Sequence, residues 1–172
     1  MLKFVIIIFL IFFKNNLLAS DNTKKIYFAG GCFWCMEESF DKLEGVIETI
    51  SGYSGGHLAN PTYNDVIKNN TGHVETLQIV YDSEIINYKK LLSHYWINID
   101  PFDSSGQFCD KGSSYRSVIF YQNTEQKKII MNSIKEIENK FKKKISTLVW
   151  KFNKFYIAEN YHQDYYEKNF IR

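Results

Sequence analysis

The sequence predicts an α+β domain in which helices cover a mixed β-sheet. Helical and strand-like periodicities alternate along the chain after its first 20 residues. Several predicted strands follow one another through connections too short for a helical crossover, which argues against a fully parallel sheet. A length of 172 residues with 45% apolar side chains suits one domain built around a single core.

In the first half of the domain, two glycine-containing segments separate the predicted elements. A short β-rich stretch stops at Gly30 and Gly31, and Phe33, Met36 and Phe40 then recur at helical spacing. The predicted order is a strand at 25–29, a helix at 32–43, a strand at 46–50, a glycine-rich loop at 52–56, a short helix at 64–68 and a strand at 73–81.

In the second half, the longest amphipathic segment is a helix that we expect Thr124 to cap and that runs to about Lys142. Its predicted buried stripe consists of Ile129, Ile130, Ile134, Ile137 and Phe141. The other predicted elements are a helix at 87–97, a polar loop at 100–114, strands at 116–121 and 145–150, and an aromatic C-terminal segment at 155–172 that wraps the surface.

The N-terminal segment is typical of a signal peptide at residues 1–20, ahead of a single domain at 21–172. Lys3 precedes an unbroken apolar run of ten residues at 4–13, which is too short to span a membrane and long enough for a signal sequence. We expect cleavage near Ala19 or Ser20 and export, with the periplasm as destination. An uncleaved membrane anchor is the alternative, because Leu18 is large for a position near a cleavage site.

The charge of the domain argues against binding to nucleic acid. The whole chain has 21 basic and 19 acidic residues, and removal of Lys3 and Lys14 with the leader makes the two numbers equal. A near-neutral protein lacks the bulk positive charge that holds nucleic acids. We expect a monomer.

Three cysteines, Cys32, Cys35 and Cys109, leave at least one thiol without an intramolecular disulfide partner. Cys32 follows a strand and two glycines and opens a helix, where backbone N–H groups and the helix dipole lower the pKa of a thiol. This context predicts a reactive cysteine rather than an inert buried one. Phe33 and Trp34 either pack in the core or line an apolar pocket that suits a methyl-thioether group.

Six ordered motifs over residues 25–170 resemble those of the peptide methionine sulfoxide reductase A family. Cys-Phe-Trp alone would be a weak signal, whereas six motifs in the right order are very specific. The motifs are Gly30-Gly31-Cys32-Phe33-Trp34, Ser51-Gly52-Tyr53-Ser54-Gly55-Gly56, Asn60-Pro61-Thr62-Tyr63, Thr71-Gly72-His73-Val74-Glu75, Gly112-Ser113-Ser114-Tyr115-Arg116-Ser117 and Tyr161-His162-Gln163-Asp164-Tyr165.

The resemblance implies a two-layer α+β sandwich with a ferredoxin-like sheet, and thiol-dependent reduction of methionine S-sulfoxide, free or in oxidised proteins. It implies that Cys32 attacks the sulfoxide sulfur and that Glu75 protonates the sulfoxide oxygen. Taken alone, Glu75 would fit an exposed strand position better. The resemblance further places Phe33 and Trp34 around the methyl group, hydrogen bonds to the oxygen at Tyr63 and Tyr115, and a polar active-site position at Asp110.

Attack by Cys32 leaves a sulfenic acid, which a second thiol condenses into a disulfide. Many family members use cysteines in a C-terminal tail, whereas here the available thiols are Cys35 and Cys109. Cys35 forms a Cys-x-x-Cys pair with Cys32 and is the slightly favoured resolving thiol; Cys109 next to Asp110 is the second candidate. A third option pairs Cys35 with Cys109 structurally. No bound cofactor is expected, and a thioredoxin-like protein is expected to supply electrons.

Two other functions compete. The motif Cys32-Phe33-Trp34-Cys35 also suits a thioredoxin-like disulfide oxidoreductase, although the chain has only Pro61 and Pro101 as candidates for the cis-proline that such proteins carry. A metal-binding or disulfide-stapled module is the other alternative. A zinc site is disfavoured, because the Cys-x-x-Cys pair lacks a second pair, and no metal is predicted.

Overall fold

The computed structural model describes residues 22–68 and 70–169, so the predicted leader at 1–20 lies outside the described residues. Within those ranges no helix is both long enough and apolar enough to cross a membrane. The strands are β1 (Thr23–Ala29), β2 (Val46–Ser54), β3 (Val74–Asp82), β4 (Gly106–Gln107), β5 (Asp110–Lys111), β6 (Val118–Tyr121), β7 (Leu148–Lys151) and β8 (Phe155–Ile157). The α-helices are α1 (Phe33–Asp41), α2 (Tyr63–Ile67), α3 (Tyr88–Ile97), α4 (Thr124–Phe141) and α5 (Tyr165–Asn169).

Six strands form one mixed sheet in the order β7-β6-β1-β3-β2-β8. Only β6 and β7 are parallel, and the other neighbours are antiparallel. The predicted α+β class with a mixed sheet is confirmed. Strand β3 lies between β1 and β2, so its N-terminal end is at the centre of the sheet, close to the start of α1.

The alternation of side chains along β1 separates the two faces of the sheet. Ile26 and Phe28 belong to the main core, which α1, α3 and α4 cover with Phe40, Leu91 and Ile130 among other residues. Tyr27 and Ala29 belong to a second cluster on the opposite face. There the ring of Tyr27 stacks on Phe152 at 3.9 Å, so the C-terminal part of the chain covers this face.

Strand β2 is longer than predicted. The sequence suggested that it stops at Ile50, but it continues through Gly52 and Tyr53 to Ser54, pairing with β3 on one side and β8 on the other. A Cβ atom on Gly52 would lie 2.3 Å from the carbonyl oxygen of Tyr156. Glycine therefore permits close approach of an edge strand here, rather than marking a loop.

The predicted polar loop at 100–114 contains a small hairpin, β4–β5, followed by a 3-10 helix at Ser113–Tyr115. The hairpin turns at Phe108, a non-glycine residue with φ of 46°. Strands of two residues are too short for periodicity to reveal, and Phe108 gives no turn signal.

Helix α4 ends at Phe141, close to the predicted end, but its N-cap and the burial of its last residue differ from the prediction. Asn123 is its N-cap and accepts a hydrogen bond from the backbone N–H of Gln126, so the assignment of the cap to Thr124 is wrong by one residue. Ile130 and Ile134 are buried as predicted, but Phe141 is 56% exposed. Phe141 lies in the last turn, where its ring packs against Phe102 at the surface.

Candidate active site

The segment from β1 into α1 places Cys32 at the N-cap of the helix, with Phe33 as the first helical residue. Gly31, with φ of +85°, turns the chain between the two elements. A Cβ atom on Gly31 would lie 2.6 Å from the Cβ of Gln107, so glycine also lets the β4–β5 hairpin approach. Cys32 is half-buried, and the prediction that it opens a helix is confirmed.

Glu75 lies on β3 opposite Tyr53 of β2 and is only 2% exposed, in contrast to the exposed strand position that its sequence context alone suggests. Its Oε2 accepts a hydrogen bond of 3.0 Å from the backbone N–H of Phe33, which brings the carboxyl group next to Cys32. Burial raises the pKa of Glu75 to about 8, with the Phe33 N–H opposing the shift. The carboxyl group is therefore mainly protonated at neutral pH.

The thiols of Cys32 and Cys35 are hydrogen-bonded to each other, and the pKa of Cys32 differs from the expectation. The hydrogen bond to Cys35, followed by burial, raises the pKa of Cys32, although the Cys35 backbone N–H acts in the lowering direction. Accepting that hydrogen bond lowers the pKa of Cys35 to about 6. In the resting pair the pKa of the exposed Cys35 is the one that is lowered, whereas the pKa of Cys32 is raised, contrary to the expectation.

Tyr63 and Tyr115 meet through a hydrogen bond between their side chains, although 52 residues separate them in the sequence. Burial raises the pKa of both phenols, so both remain protonated donors at neutral pH. The charge of Glu75 would further raise each pKa, which places both tyrosines within its electrostatic reach. The two predicted oxygen-binding residues are therefore brought together near the buried carboxyl group.

Glu159 holds Tyr63 in place and was not identified from the sequence. Its carboxylate accepts 2.9 Å hydrogen bonds from the backbone N–H of Tyr63 and from Oη of the fully buried Tyr53. Burial raises the pKa of Glu159, but these hydrogen bonds outweigh it and the net pKa is lowered. The only sequence signal is its position two residues before the Tyr161-His162-Gln163 motif.

Aromatic rings cluster at the start of α1, as expected for Phe33 and Trp34. Phe33 is buried and packs with Tyr53 and Val66, while Trp34 and Tyr63 border the same cluster. His162 lies among these rings, with its centroid 4.5 Å from that of Tyr63 and 5.0 Å from that of Phe33. Burial lowers the pKa of His162, which keeps the imidazole neutral. The arrangement gives an apolar surface beside Cys32.

The two histidines of the family-like motifs, His73 and His162, have different surroundings. His73 Nδ1 accepts a hydrogen bond from the Gly56 backbone N–H, so Nε2 carries the proton and donates to the Leu58 carbonyl at 2.8 Å. His73 thereby connects two loop segments. Neither ring nitrogen of the buried His162 has a hydrogen-bond partner among residues 22–68 and 70–169.

The β4–β5 hairpin brings Asp110 towards the site. Asp110 is half-buried, and its charge adds to the raised pKa of Glu75. The same charge acts to raise the pKa of Cys35, against the hydrogen bonds that lower it. Cys109 lies in the turn of the hairpin and is exposed. Of the two candidate resolving thiols, Cys35 is thus in hydrogen-bond contact with Cys32, whereas Cys109 lies at the hairpin tip.

Within residues 22–68 and 70–169, no group of three or more histidine, cysteine or acidic side chains is arranged to hold a metal ion. The chemically distinctive groups are instead a thiol pair, a buried protonated carboxyl group and two phenols. These groups can supply a nucleophile, a proton and hydrogen bonds to a developing oxyanion.

Comparison with known proteins gives a consistent result. The sequence profile of the family described as peptide methionine sulfoxide reductase matches residues 24–172. The peptide methionine sulfoxide reductase MsrA of Listeria monocytogenes serotype 4b is 48% identical over 153 residues, covering 88% of this chain and 86% of the relative. That of Bacillus velezensis is 51% identical over 152 residues, with coverages of 87% and 86%.

Solved structures of similar proteins share the fold. Methionine sulfoxide reductase A of Corynebacterium diphtheriae superposes with a TM-score of 0.78 at 28% identity, covering 88% of this chain and 77% of that chain. Reduced Mxr1 from Saccharomyces cerevisiae gives 0.81 at 31% identity, covering 86% of each chain. Mxr1 in complex with Trx2 gives 0.57 at 20% identity, covering 88% and 91%, and this last match speaks only for the fold.

Proposed function

This chain belongs to the peptide methionine sulfoxide reductase family, and on that premise we propose how its own residues carry out the reaction. The chain is an oxidoreductase that reduces methionine sulfoxide to methionine. We assign the attack on the sulfoxide sulfur to Cys32 and the protonation of its oxygen to Glu75. The reaction converts the Cys32 thiol and the sulfoxide into a sulfenic acid and a thioether, so the cysteine sulfur is oxidised as the substrate sulfur is reduced.

One observation carries this assignment: the Glu75 carboxyl group accepts the N–H of Phe33, the residue next to Cys32, at 3.0 Å. A sulfoxide oxygen leaves poorly until it is protonated, so the nucleophile needs an acid close by. Burial raises the pKa of Glu75 to about 8 and keeps a proton available at neutral pH. A sulfoxide that binds beside Cys32 would have its sulfur next to this thiol and its oxygen next to Glu75.

The remaining site residues have supporting roles in this proposal. Tyr63 and Tyr115 donate hydrogen bonds to the sulfoxide oxygen, which suits phenols that burial keeps protonated. Asp110 contributes negative charge that favours the protonated form of Glu75. Phe33 and Trp34 provide the apolar surface for the ε-methyl group.

Cys35 is the preferred resolving thiol, because it is hydrogen-bonded to Cys32 before the reaction begins. Cys109 remains the second candidate. Non-reducing mass spectrometry of the wild type, Cys35→Ser and Cys109→Ser after one turnover identifies the disulfide that forms. A 32–35 linkage in the wild type and in Cys109→Ser supports Cys35. A 32–109 linkage in the wild type would overturn the preference.

We further propose that a thioredoxin-like protein reduces the resulting disulfide, and that the substrates are oxidised proteins as well as free methionine S-sulfoxide. Support comes from Mxr1 of Saccharomyces cerevisiae, whose structure in complex with Trx2 shares this fold. The thioredoxin-like alternative for this chain itself is not favoured, since its relatives are sulfoxide reductases.

The proposal is tested with Cys32→Ser and resolved sulfoxide epimers. Wild-type protein with dithiothreitol should convert the S epimer of a methionine sulfoxide peptide and leave the R epimer unchanged. Cys32→Ser should convert neither, while its circular dichroism and thermal unfolding match those of the wild type. Retained turnover of the S epimer by a folded Cys32→Ser protein would refute the nucleophile assignment.

Export of the protein is also proposed, on the charge and apolar pattern of residues 1–20. Expression of the full chain in a bacterial host, followed by fractionation and N-terminal mass analysis, tests it. A periplasmic protein that begins near Asp21 supports export with cleavage. A cytoplasmic protein with an intact N-terminus would refute export, and an intact membrane-bound chain would favour the anchor.

A further inference from the structure

The C-terminal helix α5 lies against the thiol pair. Tyr166 Oη lies 3.5 Å from Sγ of Cys35, within hydrogen-bond range for sulfur. The phenol O–H donates when the Cys35 thiol is ionised, and this hydrogen bond raises the pKa of Tyr166 and lowers that of Cys35. The contact joins residues 131 positions apart, so the fold of the C-terminal segment creates it.

Two contacts of Tyr165, the residue before Tyr166, fix α5 on α1, the helix that carries Cys35. The rings of Trp34 and Tyr165 stack with centroids 3.7 Å apart and planes 7° from parallel. The backbone N–H of Tyr165 donates to Oε2 of the buried Glu37 at 3.3 Å. Tyr166 is therefore held beside Cys35 by contacts that do not involve its own hydroxyl group.

We propose that Tyr166 is a positioning residue for the resolving step, in which its phenol stabilises and aims the Cys35 thiolate at the oxidised sulfur of Cys32. The inference rests on the proposed function and deepens it. In this step the Cys35 thiolate forms an S–S bond to the sulfenic sulfur, whose S–O bond breaks. The departing hydroxide takes up a proton and becomes water; Cys35 sulfur is oxidised and Cys32 sulfur is reduced.

Other groups around Cys35 make the phenol important. Glu38 of α1 and Asp110 of β5 both act to raise the pKa of Cys35, as does burial. The hydrogen bonds from Cys32 and Tyr166 act in the opposite direction and lower the pKa of Cys35. When Cys32 has become a sulfenic acid, its thiol proton is no longer available to Cys35. The Tyr166 phenol is then the remaining side-chain donor of the two.

The test uses Tyr166→Phe, with Tyr156→Phe as a matched control that removes a phenol from β8 in the same C-terminal segment. The pH midpoint for iodoacetamide modification of Cys35 is measured by peptide mass spectrometry. Loss of a charge-assisted hydrogen bond should raise this midpoint by about one pH unit relative to the wild type. Tyr156→Phe should leave it unchanged.

The rate of 32–35 disulfide formation at two pH values distinguishes a change in the pKa of Cys35 from a structural effect. A thiolate of higher pKa is less abundant at low pH but more nucleophilic, so the two effects oppose each other. After a single turnover without reductant, Tyr166→Phe should form the 32–35 disulfide about threefold more slowly than wild type at pH 5 and no more slowly at pH 8. A merely structural loss of α5 would slow the step equally at both values.

Separate readouts distinguish a failure of the proposed function from a failure of the role of Tyr166. Formation of methionine in the first turnover reports on Cys32, and its absence in the wild type would overturn the proposed function while the Cys35 modification profile still reports on Tyr166. An unchanged modification midpoint in Tyr166→Phe would overturn the role of Tyr166. Equal slowing at pH 5 and pH 8 would also overturn it.

Discussion

Glu37 and Glu75 are each 2% exposed, and burial raises the pKa of both carboxyl groups. Their hydrogen bonds differ. Glu37 accepts from Oγ of Ser51 and from the backbone N–H of Tyr165, so it fastens the C-terminal segment to α1. Glu75 accepts from the residue that follows Cys32. Burial alone therefore does not identify a catalytic acid, and the neighbour of the carboxyl group decides its role.

Glu75→Gln should lower the rate of the first methionine-forming step by about 10²–10⁴-fold, because an amide cannot donate the required proton as an acid. The wild-type rate should fall as pH rises through about 8, where the raised pKa of Glu75 leaves the carboxyl group ionised. The variant should lack this decline. Single-turnover methionine release between pH 6 and 10 measures both effects, and an identical basic limb in the variant would exclude Glu75 as the acid.

Unfolding of the same variant provides the control. Glu75 is protonated in the folded protein up to about pH 8 but ionises at about 4.5 when unfolded, so the folded state binds more protons between these values. Stability contributed by this group therefore falls as pH rises from 4.5 to 8. Glu75→Gln should remove this pH dependence and be more stable than the wild type at pH 8. The control Glu48→Gln, at an exposed position on β2, should retain the pH dependence of the wild type.

Tyr63 and Tyr115 should act as one unit, because each phenol is the other's hydrogen-bond partner. Each single Phe variant should lower kcat/KM by roughly tenfold, a loss of about 1.4 kcal/mol that is typical of one hydrogen bond. The double variant should lose less than the product of the two effects. Full additivity in a double-mutant cycle would show that the phenols work independently.

At the scale of elements, prediction from sequence succeeded where an apolar period was long and failed where the decisive feature was a hydrogen bond. Helix α3 was predicted at 87–97 from its pattern, and it runs from Tyr88 to Ile97 with Asn87 as its N-cap. The cap of α4 was assigned one residue late, since Asn123 and Thr124 both have side chains that can cap a helix. Asn123 is the cap because its backbone is extended, with φ of −148°, and its side chain accepts the hydrogen bond from the Gln126 N–H.

Asn123→Ala should therefore destabilise the protein by about 1 kcal/mol, because the backbone N–H of Gln126 loses its acceptor. Thr124→Ala, one residue inside the helix, should change the free energy of unfolding by no more than about 0.5 kcal/mol. Urea denaturation at pH 7 measures both. The reverse order of the two effects would restore Thr124 as the cap.

At the scale of the whole molecule, the site is assembled from segments scattered along the chain. Strand β3 contributes Glu75, the start of α1 contributes Cys32, and the C-terminal segment contributes Glu159, which orients Tyr63. The reactive cysteine had a local signal in its glycine-cysteine-helix context. Glu159 had only its position two residues before the Tyr161-His162-Gln163 motif, because its partners Tyr53 and Tyr63 lie 106 and 96 residues away. Such pairings depend on strand order, which residue patterns do not specify.

Gln163 connects this C-terminal segment to the sheet and offers a test of the whole assembly. Its side chain accepts from the backbone N–H of Ser51 at 2.9 Å and donates to the carbonyl groups of Ser51 and Ala158, both at 3.0 Å. Ser51 is fully buried. Removal of the amide would leave the Ser51 N–H without this acceptor, a cost of about 1–3 kcal/mol for a buried group.

Gln163→Ala should thus lower the free energy of unfolding by about 2 kcal/mol and reduce kcat/KM, because Glu159 and His162 lie on the loosened segment. Amide hydrogen exchange should accelerate at 155–169 and remain unchanged in α3, since the main core keeps its contacts. Gln122→Ala, at an exposed position, is the control. If exchange accelerates throughout the protein, the C-terminal segment is part of the global folding unit rather than a separately anchored cover of the site.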